Sequence, residues 1–346
     1  MEPNYQEIAA RVLSRLQGTH GSGDIHDHMT LDTWEWPQGV AVYAMYKLYK
    51  ATGNQQVLND IIAWYDRNIA KGLPPRNVNT TAPMLTMAFL YQETGNPAYL
   101  PIIRDWANWI MNDMPRTKEH GLQHITSDDE NLQQLWDDTL YMTCLFLYQA
   151  GIVLNNAEMC TEAEYQFLLH IKYLHSRRTG LWYHGFCFIG HHHFGKAFWA
   201  RGNSWFTAGA ADFLEWLPEG ALRDMIRRTW HEQCKALLAL QDESGLWHTL
   251  LDHPDSYLET SASAAIAYGM LKGARLGMLS DQYRVAGEKA LAGVLKQIAP
   301  DGTVMGVSYG TPMGDTLDFY RNIPIQPTAY GQGLTFLMLT EKLRKD

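Results

Sequence analysis

The chain has 346 residues, of which 46% are hydrophobic and 19% charged; this is enough apolar content for a sizeable buried core and too much for global disorder. A formal net charge of −9 excludes a general nucleic-acid binder, which needs a basic face to displace counterions, although one local Arg or Lys can still hold an acidic ligand. The opening MEPNYQEIAARVLSRL has no apolar signal core, and no apolar run approaches the ~20 residues of a membrane span, so a cytoplasmic chain without a membrane partner is expected.

In chain order the pattern is helix after helix. Residues 4–17 place Ile8, Val12, Leu13 and Leu16 at helical spacing. Residues 38–52, QGVAVYAMYKLYKAT, run to Gly53, a stop signal. The same reading predicts helices over 55–71, 82–94, 97–113, 137–150, 161–175, 204–216, 220–240, 260–275, 281–297 and 329–344, and no strand. The helix ends echo one another. YKLYKATGN at 46–54 resembles MAFLYQETGN at 87–96, FLYQAG at 146–151 is a third variant, and TGLWYHG at 179–185 resembles SGLWHTL at 244–250. This is a weak repeat of helical hairpins, which can form an open solenoid or close into a ring. The long connections, 18–37, 114–136, 176–203, 242–259 and 298–328, carry much of the Trp, His, Gly and Asp, as binding loops on a rigid scaffold do. No linker rich in Pro, Gly or Ser interrupts the chain, so one domain over 1–346 is expected. The four cysteines, Cys144, Cys160, Cys187 and Cys234, form no CxxC and read as free thiols in a reducing compartment. Twelve Trp and 18 Tyr either fill the core or stack on sugars or bases.

Residues 134–142, QLWDDTLYM, set two acids in an aromatic run. At a helix start one Asp can cap and the other can sit in the first turn. That explains either acid better than both, because Trp136, Leu140, Tyr141 and Leu145 wall them with apolar surface, which raises a carboxyl's pKa and suits it to donate a proton. In FWARGNSWFTAGAADFLEWL at 198–217, Arg201 between Trp199 and Trp205 either clamps a carboxylate while an indole stacks on a sugar, or packs as a surface Arg on aromatics. His184 in GLWYHG either donates to a ligand or is structural. The run His191–His193 lacks the i, i+4 spacing with which helical histidines converge on one metal, so no metal is expected.

Together PRTKEHGLQHITSDDENLQQLWDDTLYMT (115–143), GLWYHG and FWARGNSW resemble the unsaturated glucuronyl and rhamnogalacturonyl hydrolases of glycoside hydrolase family 105, with family 88 a more distant relative. The likeness extends through TWEWPQGVAVYAMYKLYKATG, NVNTTAPMLTMAFLYQETGN, GLWHTLLDHPDSYLETSASAAIAYGMLKG and AYGQGLTFLML. The resemblance implies an all-α (α/α)6 barrel. It also implies a hydrolase that removes a 4,5-unsaturated uronic acid from the non-reducing end of lyase-generated oligosaccharides, with rhamnogalacturonan disaccharide as the default. Catalysis would be vinyl-ether hydration, with one acid both donating to C4 and activating water, so the paired carboxylates of an ordinary glycosidase are not required. The resemblance assigns that acid to Asp138, leaving Asp137 to cap or hydrogen-bond nearby. It gives Trp199, Arg201, Trp205, His184, His124, Trp36 and Gln38 to the substrate. One departure is RNVNTTAP at 76–83, where several relatives carry an acid and this chain has Asn77 and Asn79. Asn79 can still hydrogen-bond a sugar but cannot carry charge. The family reading needs no cofactor and a small oligosaccharide as partner, in a monomer or homodimer. The alternatives are a sugar epimerase, an inverting glycosidase drawing its second acid from Asp32, Glu35 or Glu259, and a non-catalytic carbohydrate-binding barrel.

Overall fold

The computed structural model describes residues 3–21, 23–24, 26–310 and 312–344. Among them are twelve helices of ten or more residues: α1 (Tyr5–Gln17), α2 (Trp36–Thr52), α3 (Gln55–Lys71), α4 (Met84–Thr94), α5 (Tyr99–Asn112), α6 (Leu145–Leu154), α7 (Ala157–Leu174), α8 (Ala200–Trp216), α9 (Ala221–Ala239), α10 (Thr260–Arg275), α11 (Asp281–Leu295) and α12 (Ala329–Leu343). The even-numbered helices pack in sequence, α2 on α4, α4 on α6, the start of α6 on α8, α8 on α10 and α10 on α12. Helix α12 then returns to α2, so the ring closes. Each odd-numbered helix packs on the outside against its ring neighbours. This is the (α/α)6 barrel.

Composition sets which helix goes where. Helix α2 buries Val40, Ala41, Val42, Tyr43, Ala44, Met45, Tyr46 and Leu48 in near-continuous series, as a helix covered on all sides must. Helix α3 buries Val57, Leu58, Ile61, Trp64, Tyr65 and Asn68, a single stripe, and turns its other face to water. The seam between α2 and α12 depends on Gly333, where a Cβ would lie 2.8 Å from Ala41 Cα, so only glycine admits the approach. A buried polar hub joins the ring further in. The Asp212 carboxylate accepts from Tyr43 (2.8 Å), Tyr268 (2.6 Å), Lys47 (2.9 Å) and Lys272 (2.5 Å), tying α8 to α2 and α10. Burial pushes this carboxyl up, but the Lys272 and Lys47 ammonium groups outweigh burial and hold it well below the usual range.

The repeated helix ends are the same device used twice. Gly53 and Gly95 both close ring helices in the left-handed conformation, each donating its N–H to a tyrosine carbonyl, Tyr49 or Tyr91. Trp182 and Trp247, from the two GLW echoes, are both fully buried.

Several boundaries differ from those expected. Helix α7 starts at Ala157 rather than 161, capped by Asn156, and α8 starts at Ala200 rather than 204, which brings Arg201 inside the helix. The 137–150 segment opens with a π-helical turn, Leu140–Cys144, and α6 then runs to Leu154. Strands also exist: β1 (Gln134–Trp136) pairs antiparallel with β2 (Gly185–Cys187), and β3 (Trp247–His248) with β4 (Leu258–Glu259). They are two or three residues long, too short to show a period-2 signal; the first pair pins two long loops to one another and the second closes the loop between α9 and α10 on itself. The cysteines are free thiols, with Cys160 half-buried and the other three buried. No helix among the described residues is long and apolar enough to cross a membrane.

Candidate active site

The segments that lead into α2, α4, α6 and α8 meet at one end of the ring and wall a cleft of about 620 Å3, closed on the far side by Tyr309, Gly310, Pro312, Met313 and Asp315. Seven of the expected residues line it: Trp36, Asn79, His124, Asp138, Trp199, Arg201 and Trp205.

The two acids part company. Asp138 faces the cleft with its side chain 18% exposed. Burial raises its pKa from 3.8 to about 7, while Arg201 and nearby backbone amides pull the other way. Asp137 is fully buried and does not cap a helix: neither of its carboxyl oxygens closes a hydrogen bond of ordinary geometry. Burial, and then the neighbouring Asp138, push its pKa well above the ordinary carboxyl value. It is seated against Gly202, where a Cβ would come within 2.4 Å of its Oδ2. The glycine of the ARGNSW motif is thus the space in which Asp137 lies.

His124 stacks flat on Trp136, with ring centroids 4.1 Å apart and planes 9° from parallel. Its Nδ1 lies 2.7 Å from Thr139 Oγ1 and 3.5 Å from Asp138 Oδ1. Burial, then His184 and His170, lower its pKa well below the usual value, so it is neutral beside Asp138. Its Nε2 has no hydrogen-bond partner.

Arg201 is 1% exposed overall and still reaches the cleft. Its guanidinium lies over Trp199 at 4.3 Å and over Tyr330 at 5.0 Å. Nη1 donates to the Ser308 carbonyl and hydroxyl, and Nη2 to the Tyr309 carbonyl at 3.4 Å. Trp205 meets Trp36 edge-on at 6.1 Å, so the floor is aromatic.

Two expected residues sit elsewhere. Gln38 is fully buried and its side-chain amide Nε2 donates to the carbonyls of Asp27 (3.1 Å) and Thr30 (2.7 Å), so it holds the 27–30 loop and not the cleft mouth. The helical turn after Trp36 carries it to the far face. His184 lies behind the wall, its ring 4.6 Å from Trp199 and its Nδ1 2.8 Å from the Tyr320 hydroxyl. Burial, then Arg201, lower its pKa to about 3. Asp137, Asp138 and His184 nonetheless each bring one donor atom within 4.8 Å of the others. Asn77 is committed to a capping box with Thr80. In the histidine run, His193 bonds the Tyr173 carbonyl and His192 accepts from Phe194 N–H, both local packing roles.

Of the acids considered for an inverting glycosidase, Glu259 caps α10 and Asp32 binds the Gly21 N–H; neither lines the cleft, and Glu35 does. Sequence reading did not place His28, Ser127 or Tyr309 there. They come from loops up to 283 residues apart, as the Tyr309–His26 hydrogen bond shows, and no local pattern links them. His28 stacks on Tyr309 at 4.7 Å; burial, then Arg201, lower its pKa to about 4.

The Glycosyl Hydrolase Family 88 model matches residues 8–345. The chain is 34% identical over 323 residues to "Unsaturated rhamnogalacturonyl hydrolase YesR" of Bacillus subtilis (strain 168), covering 90% of each. A solved structure from Salmonella enterica serovar Paratyphi A, described as a possible member of GH105 family, superposes with a TM-score of 0.96 at 45% identity, covering 99% of this chain and 96% of that one. The unsaturated glucuronyl hydrolase of Bacillus sp. GL1 shares the fold, with a TM-score of 0.71 at 18% identity over 97% of this chain and 94% of that one.

Proposed function

The chain belongs to glycosyl hydrolase family 88, and from that membership we propose that it hydrates the double bond of a 4,5-unsaturated uronic acid at the non-reducing end of a lyase-generated oligosaccharide, with Asp138 as general acid and base. The observation that carries this reading is a carboxyl at the cleft surface whose pKa burial lifts to about 7, walled by aromatics and set near a buried arginine. Such a group holds its proton at neutral pH and can also receive one back.

The steps balance on one residue. The Asp138 carboxylic acid gives its proton to C4, and positive charge develops at C5 and the ring oxygen. Water attacks C5 and passes a proton to the Asp138 carboxylate, restoring the acid. The resulting hemiketal opens and releases the neighbouring sugar. Arg201, held from behind by Ser308, presents its charge to the sugar carboxylate, and Trp199 beneath it keeps the guanidinium in place. Trp36 and Trp205 offer apolar faces to the ring. His124, neutral and held by Thr139, lies 3.5 Å from the acid and does not compete for its proton. Asp137 and His184 support the site from behind.

The substrate we favour is unsaturated rhamnogalacturonan disaccharide, by analogy with the named Bacillus subtilis relative. The test follows the ultraviolet absorbance of the conjugated double bond, with that disaccharide and with unsaturated disaccharides from other lyases. Loss of absorbance with wild type and none with Asp138→Asn supports the reading. No loss with any substrate, from a folded protein, overturns it.

A further inference from the structure

The cleft holds a second buried acid that the steps above do not use. Glu35 is 3% exposed and lines the cleft at the start of α2. In the ring order α2, α4, α6, α8, α10, α12, helix α2 stands opposite α8, which carries Arg201. Asn79, ahead of α4, and Asp138, ahead of α6, lie between them on one side.

The hydrogen bonds around Glu35 run in one direction. Asn77 Oδ1 accepts from Thr80 N–H at 2.9 Å, and its Nδ2 donates to Ser127 Oγ at 3.0 Å. The Ser127 hydroxyl proton is then given to Glu35 Oε1. Glu35 Oε2 takes only a long bond from the Trp36 N–H, 3.3 Å. A carboxylate offers about four acceptor positions, and Ser127 and Trp36 use two of them, so about half of its capacity remains while its orientation is fixed. Burial raises its pKa, and the bonds from Ser127 and Trp36 offset only part of that rise, so further donors reaching the carboxyl would favour its charged form.

Walking round the sugar matches walking round the ring of helices. The carboxylate on C5 belongs at Arg201 and C4 at Asp138, so the hydroxyls on C3 and C2 come round toward Asn79 and Glu35. We propose that Glu35 is a substrate-binding residue that accepts hydrogen bonds from the vicinal hydroxyls of the unsaturated uronyl ring, with the cleft-lining Asn79 on the same side. This rests on the activity proposed above.

The experiment compares wild type, Glu35→Gln and Ser127→Ala by initial rates on the unsaturated disaccharide that wild type turns over best, with melting temperature as a control. Calorimetric titration of the same disaccharide into Asp138→Asn, with and without Glu35→Gln, reads binding alone. Gln keeps the shape and the helix cap but replaces one acceptor by a donor. The expected result is a KM raised about 10-fold or more with kcat changed less, a matching loss of affinity, and an unshifted melting temperature. Ser127→Ala, which leaves the carboxyl but releases it, gives a smaller rise of the same kind and serves if Glu35→Gln does not fold. Unchanged KM and affinity in both variants of an active enzyme overturn the role of Glu35 alone. A wild type that turns over none of the disaccharides overturns the activity, and this role with it.

Discussion

Replacing Asp138 by Asn is expected to stabilise the protein while abolishing its activity, and the size of the gain follows from the site. In the unfolded chain this carboxyl ionises near 3.8; in the fold it does so at about 7. Below the lower value both states hold the proton and the fold pays nothing. Between the two values the unfolded chain ionises alone, so stability falls as pH rises, and above about 7 the penalty is complete. At ~1.4 kcal/mol for each pH unit crossed, that penalty is ~4 kcal/mol, an upper bound because the side chain touches the cleft. The neutral amide does not ionise. With an unfolding entropy of ~2.1 cal/mol/K for each residue, a chain of this length converts ~4 kcal/mol into about 5 °C of melting temperature. Scanning fluorimetry of both proteins from pH 4 to pH 8 reads the difference. It should be near zero at pH 4 and widest at pH 8, with turnover down ~10²–10⁴-fold throughout. A gap that does not grow with pH, or an Asn variant less stable at pH 8, refutes the placement of Asp138 in a desolvated wall.

Further outcomes follow from the same geometry. In wild type, kcat/KM on the unsaturated disaccharide should fall about tenfold for each pH unit above about 7, because the donor is the protonated acid; a flat alkaline limb in a pH–rate profile counts against it. Arg201→Lys keeps the charge but loses the planar group that lies on Trp199 and reaches Ser308; KM should rise ~10–100-fold in steady-state kinetics. Gly202→Ala drives a methyl into Asp137 and should cost ~1–3 kcal/mol by urea denaturation together with most of the activity. Asp212→Ala leaves Lys47 and Lys272 buried without their shared partner and should cost ~3–5 kcal/mol in the same assay, although Glu215 retains part of the Lys272 pairing. Exhaustive chelation should leave the rate unchanged; a loss restored only by added metal would point to Asp137, Asp138 and His184 as ligands.

The helices were legible because each carries its own signals. Apolar residues at helical spacing marked the helices, and Gly53 marked a stop, but which helices form the inner ring emerged only from the packing. Asp138 and Arg201 stood out because charge inside an aromatic run is costly unless used. What sequence could not supply was direction. Gln38 is two residues from cleft-lining Trp36 yet turns away, since neighbouring helical positions diverge by ~100°. Asp137 was expected to cap because the helix was expected to begin there, whereas the π-helical turn that follows leaves its carboxyl facing Gly202. Glu35 was weighed only as one of three acids; its selection rests on Ser127, 92 residues away, which no periodicity reveals.

Because α12 returns to α2, the barrel is finished by its last segment. Gln332 on α12 donates to the Val12 carbonyl, 320 residues earlier, and Arg201 is steadied by Ser308, 107 residues later. A chain emerging from the ribosome therefore carries no working part of the cleft: the acid, the aromatics and the arginine exist long before the strap that fixes them. Closing so long a loop is cheap, since each doubling of length adds only ~0.6 kcal/mol, but it is slow, because distant contacts must be found together. Until then the apolar flanks of α2 and α10 stand open to other chains. Variants that crowd the seam at Gly333 and Ala41 should therefore be recovered as aggregate even when every residue of the cleft is intact.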